Sequence, residues 1–358
     1  MPPIRYSPRF VRAFASQGSR AIAAPGTDES WLDSVPFDFS PENLRMATTK
    51  QDAISFSSPV DGEYSDGQRL PCMGERIGKC RVLERIATGG MAVVYKVLHE
   101  ELEVVRAVKL LKPGSSSEWC ERLNTEAKIS AHLRHPNIVE IHNVDVWQGG
   151  LPYIEMEYIE GASLDDKIAT HGRMPVPVAV ALTFILCNAL HYAHHCAIRL
   201  YGKIYSSLIH RDIKPANIMI SSSGTVKLAD FGIAQPENVS LHTVGSHVLG
   251  TYAYLSPEQL TLKRLDQRSD LYSLGLILYE MVTGRKAFPQ RAVGELVQSK
   301  VEGNIHPAVA LVPELPAKIS AILDRALALK KEDRFASAEE LGRTLKNALD
   351  EISRHPPR

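Results

Sequence analysis

The chain lacks an excess of charge of either sign, with 41 lysines and arginines against 41 aspartates and glutamates. No global field therefore draws it to nucleic acid or to an anionic membrane, and neither is expected as a partner. Cysteine is scarce: Cys72, Cys80, Cys120, Cys187 and Cys196 are the five in 358 residues, and no two form a CxxC pair. An odd, scattered set argues against a disulfide framework and for free thiols in a reducing compartment, the cytoplasm. Long hydrophobic runs are missing as well. The longest largely apolar stretch, residues 176–190, contains Pro177 and falls short of the roughly 20 residues that span a bilayer. It reads as a buried helix, and no transmembrane segment or secretory leader is expected.

What is present is ordinary for a globular protein: 44% hydrophobic and 23% charged residues, in a chain long enough for one large domain or two smaller ones. Residues 1–74 stand apart. Arg5, Arg9, Arg12 and Arg20 fall in a stretch, 1–27, that has no acid, whereas 28–66 is rich in aspartate and glutamate. Neither half shows apolar periodicity, so a disordered N-terminal arm is expected. The basic beginning also has the composition of an organelle transit peptide, the alternative to a plain solvated arm.

From about residue 75 the texture changes. "KCRVLERIA" and "MAVVYKVLH" are β-branched runs divided by Gly89-Gly90, which suits two antiparallel strands. "VVRAVKLL", "NIVEIHNVDVW" and "LPYIEMEYI" read as three more, and "EWCERLNTEAKISAHL" has helical spacing. Beyond Gly161 the pattern is mostly helical. An α+β chain is expected, with a small β-rich lobe carrying one main helix on a larger α-rich lobe and a cleft between them for a ligand.

The chemistry concentrates in "HRDIKPANIMI" and "KLADFG", which supply Asp212, Lys214, Asn217 and Asp230 in order. A phosphoryl transfer needs a carboxylate for the hydroxyl proton, a cation beside the moving group and oxygen ligands for Mg²⁺. Asp212 suits the first, Lys214 the second, Asn217 and Asp230 the third. Any one of these acids alone would be an ordinary surface residue; the ordered set is not.

On these motifs the chain resembles a eukaryotic-type serine/threonine protein kinase, most of all the bacterial members, over roughly residues 75–352. The resemblance implies a bilobal kinase fold (N-lobe about 75–158, C-lobe about 159–352, short tail 353–358), ATP, Mg²⁺ and a protein substrate. It implies Asp212 and Lys214 as catalytic residues and Asn217 and Asp230 as metal ligands. In the nucleotide site it implies a phosphate loop of Ile86, Ala87, Thr88, Gly89, Gly90, Met91, Ala92, Val93 and Val94. Lys109 would meet the α- and β-phosphates and be held by Glu126 of the main helix. The backbone of Glu157 and Ile159 would face adenine, with Met156 as gatekeeper. Thr251 would bridge Asp212 and Lys214, Glu258 would pair with Arg334, Asp270 would steady the catalytic loop, and His210 would pack beneath Phe231. Arg211 would meet a phosphate on the segment that offers Ser240, Thr243 and Ser246, with Thr243 favoured for autophosphorylation.

Three features depart from or go unexplained by the family pattern. Ala87 and Ala92 stand where two loop glycines are usual; were either left-handed, the strain would be about 1–2 kcal/mol. The loop is therefore expected to bind ATP, more weakly. An insertion of about ten residues, spanning 199–208, reads as a tolerated surface loop or as a docking element for partners, a role also open to the arm. Glu155 puts a charge beside the gatekeeper, pointing away from the adenine pocket by strand alternation. The rival readings are a pseudokinase scaffold, favoured by the missing glycines, and a small-molecule kinase.

Overall fold

The computed structural model describes residues 69–90, 92–114, 117–200, 202–231, 250–290 and 292–354. The first of these already pack against the sheet. Strands β1 (Arg76–Ile77), β2 (Cys80–Thr88), β3 (Ala92–His99) and β4 (Val104–Leu111) precede helix α1 (Ser117–Ser130), and β5 (Ile141–Trp147) and β6 (Leu151–Glu157) follow it. All pair antiparallel in the order β1-β2-β3-β4-β6-β5. The five expected strands are present, and β1, two residues long, is the addition; a run that short carries no periodicity.

Alternation along the strands gives the sheet two apolar faces. The inner face packs Ala92, Leu111, Ile141 and Ile154 against Ala127 of α1. The outer face gathers Val82, Val93, Tyr95, Val97, Val108, Leu110 and Tyr153, closed over by Leu70 and Ile77. Residues 69–74, assigned by composition to the arm, thus belong to this lobe. Arg69 binds Glu75 at 2.7 Å, and the Gly74 amide donates to the Val82 carbonyl at 2.9 Å. The rest of the arm lies outside the described residues. Gly78 turns β1 into β2 at φ +59°, where an added Cβ would lie 2.2 Å from the Tyr153 hydroxyl. Glu155 does face outward, buried beside Cys80 and 3.9 Å from Arg106 Nε. The pair lines a cavity of about 340 Å³ with His99, His142 and Asp145, away from the cleft.

The second lobe begins with β7 (Gly161–Ser163), α2 (Leu164–His171) and α3 (Val176–His195). Gly161 presses on the backbone of the catalytic region: a Cβ there would meet the Ile220 carbonyl at 2.1 Å. Helix α3 runs five residues past the apolar stretch, so among the described residues it is the one helix long and apolar enough to cross a membrane. It is instead enclosed, with Val180, Leu182, Ile185, Leu186 and Leu190 in the main core.

The insertion is a hairpin, β8 (Ala197–Leu200) and β9 (Lys203–Ser206), rather than a loop. Ile198 is buried and Leu200 and Tyr205 pack on the core, while Ile204 projects outward. Strands β10 (Ile218–Ser221) and β11 (Val226–Leu228) complete a three-stranded sheet with β7. There follow α4 (Pro257–Leu260), α5 (Gln267–Thr283), α6 (Val293–Glu302), α7 (Ala308–Leu311), α8 (Ala317–Ala326) and α9 (Ala338–Arg354). Helix α5 starts on Asp266, whose carboxylate accepts from the Arg268 amide, and stops at Gly284 with φ +69°. Hydrogen bonds between the Val139 amide and the Leu228 carbonyl, and between the Leu228 amide and the Asn137 carbonyl, tie the two lobes together.

Candidate active site

The connection from β9 to β10 has little regular structure and is held from below. Asp270, in the first turn of α5, is almost wholly buried. Its carboxylate accepts from the amides of His210 at 2.8 Å and Arg211 at 2.9 Å, and lies 2.8 Å from His194 Nε2. Burial alone would raise the Asp270 carboxyl, but the His194 hydrogen bond and charge, with His210, hold it below its ordinary value. His210 is likewise enclosed. Its Nδ1 accepts from the Asp212 amide at 3.3 Å and its Nε2 donates to the Ala229 carbonyl at 2.9 Å, so the ring is neutral. Burial pushes its pKa down despite Asp270 and Asp212 nearby. It packs on Phe231 with centroids 4.5 Å apart, as a structural residue would.

Above this base the polar side chains converge. Lys214 Nζ donates to Asp212 Oδ2 at 2.9 Å and to Thr251 Oγ1 at 3.2 Å. Asn217, in the 3₁₀ turn Pro215–Asn217, donates through Nδ2 to the Asp212 carbonyl at 2.8 Å and to Asp212 Oδ2 at 3.0 Å. That leaves Asn217 Oδ1 as an acceptor. Across the cleft, β4 presents Lys109, whose Nζ stands 2.8 Å from Asp230 Oδ2. Asp230 sits at φ +59° beyond β11. Burial works to raise its pKa; the Lys109 charge and hydrogen bond, then the Lys214 charge, bring it below its ordinary value.

The structure thus brings Asp212, Lys214, Asn217, Thr251, Lys109 and Asp230 to one cleft. Glu126 lies on α1, but its side chain is outside the described residues, as are Met91, Ser240, Thr243 and Ser246. The loop's strain question has an answer. Ala87 pairs with Val94 in β2–β3, Ala92 opens β3, and neither has positive φ; the hairpin closes through the Gly89 amide on the Ala92 carbonyl at 2.8 Å. The feared left-handed alanines do not exist, because the backbone here is extended. At the end of β6, Glu157 donates its amide to the Glu140 carbonyl and binds Lys227 of β11 at 2.7 Å, a lobe-to-lobe pair that no motif announced. Met156 reaches a small apolar cavity shared with Ile141, Leu228 and Phe231.

The Glu258–Arg334 pair is bidentate, at 2.8 and 3.0 Å, with Ser269 donating to Glu258 at 2.7 Å and the Tyr272 ring 4.5 Å from the guanidinium. Burial would raise the Glu258 carboxyl, but Arg334 and Ser269 pull it below its ordinary value.

A β-sheet lobe and a helical lobe closing on a lysine, two aspartates and an asparagine define a protein kinase fold and cleft. The chain belongs to the protein kinase domain family, whose sequence model matches residues 80–345. It is 37% identical, over 74% of its length, to the protein designated "Probable serine/threonine-protein kinase PknB" of Bifidobacterium longum. It is 33% identical, over 75%, to the tyrosine-protein kinase MasK of Myxococcus xanthus. It spans only 38% and 43% of those two proteins. The crystal structure of the Mycobacterium tuberculosis PknI kinase domain superposes with a TM-score of 0.61 at 28% identity, covering 79% of this chain and 99% of that one.

Proposed function

We propose that the chain is a serine/threonine protein kinase that uses ATP and Mg²⁺ and acts on protein substrates in the cytoplasm, where its five free cysteines would stay reduced. One observation carries this reading: the Asp212–Lys214–Thr251 network faces the Lys109–Asp230 pair across a single cleft. Asp212, kept in place by Lys214 and Asn217, accepts the proton of the substrate hydroxyl. Lys214 supplies positive charge beside the transferred phosphoryl group, and Lys109 does so at the α- and β-phosphates. Loop residues 86–94 would lie over the phosphates, and the backbone of Glu157 and Ile159 would hold adenine.

The residues fit a hard divalent cation. Asn217 has spent its amide nitrogen on Asp212 and keeps its carbonyl oxygen; Asp230 is held ionised. These two would hold Mg²⁺, which when bound neutralises charge on the nucleotide phosphates. Asp212, bonded to a lysine and an amide, stays free of that task.

Lys214 and Thr251 meeting, and Glu258 anchored by Arg334, give segment 250–260 a fixed shape, which suits a peptide platform better than a small-molecule pocket. The pseudokinase reading loses its support with the unstrained alanines. The test is incubation with γ-labelled ATP, Mg²⁺ and a basic protein such as myelin basic protein, followed by acid hydrolysis. Labelled phosphoserine or phosphothreonine is expected. Absence of label would favour a scaffold, and phosphotyrosine alone would move the chain toward MasK-like specificity.

A further inference from the structure

Helix α6 turns Leu296 and Lys300, one helical turn apart, into the core of the C-lobe. Leu296 suits that environment; Lys300 does not. It is among the largest fully buried side chains, at 0% exposure. Among the described residues no carboxylate forms an ion pair with it. Its Nζ lies between the rings of Phe288, at 4.7 Å, and Tyr272, at 5.6 Å, and among the described residues donates to a single oxygen, the carbonyl of Leu255, at 2.7 Å. An unpaired buried ammonium is costly, and a methionine or leucine would fill the volume without that cost. Burial accordingly drives the Lys300 pKa well below its ordinary value. What the lysine supplies, and an apolar residue cannot, is the hydrogen bond to Leu255.

Leu255 follows Thr251 by four residues in the segment that fronts the cleft. The same segment is fixed nearby by Ser273, whose hydroxyl donates to the Tyr254 carbonyl at 2.7 Å, and by the Tyr254 hydroxyl on Glu280. Thr251 in turn meets Lys214. The Leu255 carbonyl therefore lies on a path of fixed backbone leading to Asp212.

The geometry points to Lys300 as a positioning residue for protein substrate: it clamps the backbone at Leu255 so that segment 250–256 presents a formed platform to the acceptor peptide. This rests on the kinase reading above. The residue touches neither nucleotide nor reacting atoms, so it acts on substrate capture.

The test is Lys300→Met in the full chain, with Leu296→Ala as a control that loosens the same helix face but spares the Leu255 contact. Myelin basic protein is titrated at saturating ATP, ATP is titrated separately, and basal ATP hydrolysis is followed without protein substrate. Lys300→Met is expected to raise KM for the protein substrate about five- to tenfold, as loss of a buried acceptor's donor would. Its KM for ATP and basal hydrolysis should stay at wild-type values. Leu296→Ala should lower the melting temperature and leave the protein-substrate KM unchanged. An unchanged KM in Lys300→Met, an equal rise in both variants, or failure of Lys300→Met alone to fold would overturn the assignment. A wild-type chain that transfers no phosphate would instead contradict the kinase reading itself, and the clamp with it.

Discussion

The backbone amide of Arg211 donates to Asp270 Oδ1 at 2.9 Å, and Arg211 holds a left-handed φ of +68°. Such a conformation costs a non-glycine residue about 1–3 kcal/mol and persists where its surroundings enforce it. Asp270 is the enforcement, since it also takes the His210 amide and His194 Nε2. The strained turn is what aims Asp212 into the cleft.

Replacing Asp270 by alanine is therefore expected to destabilise the fold by at least about 3 kcal/mol, from leaving two N–H groups and a buried ring without a partner at about 1–3 kcal/mol each. Activity measured below the melting point should also fall at least tenfold, because the turn relaxes. Urea titration and initial rates check both; a variant as stable and active as wild type would contradict the strut.

Glycine at both Ala87 and Ala92 is expected to leave the ATP KM unchanged or slightly raised. Both alanines are extended, and Ala92 is buried in the inner cluster. Glycine would add freedom to the unfolded chain and cost about 0.5–1 kcal/mol at each strand position. A clear fall in the ATP KM would restore the strain account.

Much of this was legible in the sequence because ordered motifs and strand alternation are local signals. The five principal strands, the helical second lobe and the convergence of Asp212, Lys214, Asn217 and Asp230 follow from them. Period two alone puts Glu155 on the outward face, yet its burial beside Cys80 and Arg106 depends on how β2, β4 and β6 are stacked. The Lys227–Glu157 pair, the start of packing at residue 69 and the Leu255–Lys300 contact are likewise long-range. A buried lysine reads in sequence like any solvated one. Length reveals the insertion but not its hairpin, since Gly202 at φ +75° is a single weak turn signal.

The Arg211 side chain is exposed, and among the described residues no acid forms an ion pair with it. That leaves it available for a phosphate on the segment that contains Thr243. Autophosphorylation is expected on Thr243, with Ser246 second, and Thr243→Ala should lose activity several-fold by removing about −1.5 to −2 charges that order the segment. Mass spectrometry of the active enzyme checks this; an unmodified segment 235–250 would refute it.

Acid should weaken the fold before Glu258 and Asp270 titrate. Burial holds both His135 and His191 near a pKa of about 4, with Lys227 adding to the effect on His135 and His195 to that on His191. In the unfolded chain both return to about 6.5. Between those values the unfolded chain binds more protons, so stability falls as pH drops through about 6.5 and goes on falling to about 4. Glu258 and Asp270, with lowered pKa values, add their losses only below the ordinary carboxylate range. The melting temperature is expected to decline over that histidine window, less steeply in His191→Phe. A flat profile down to about pH 5 would contradict the assignment of neutral buried rings.

The central claim, that Asp212 serves the acceptor hydroxyl while Lys109 and Asp230 serve the nucleotide, is tested most directly by one paired measurement on Asp212→Asn. ATP affinity with Mg²⁺ is read by calorimetry, and phosphate transfer to myelin basic protein by single-turnover quench. The account predicts nucleotide affinity close to wild type and a transfer rate lower by about 10²–10⁴, the usual contribution of a positioned acid–base group. Transfer at an undiminished rate, or loss of ATP binding together with transfer, would contradict it.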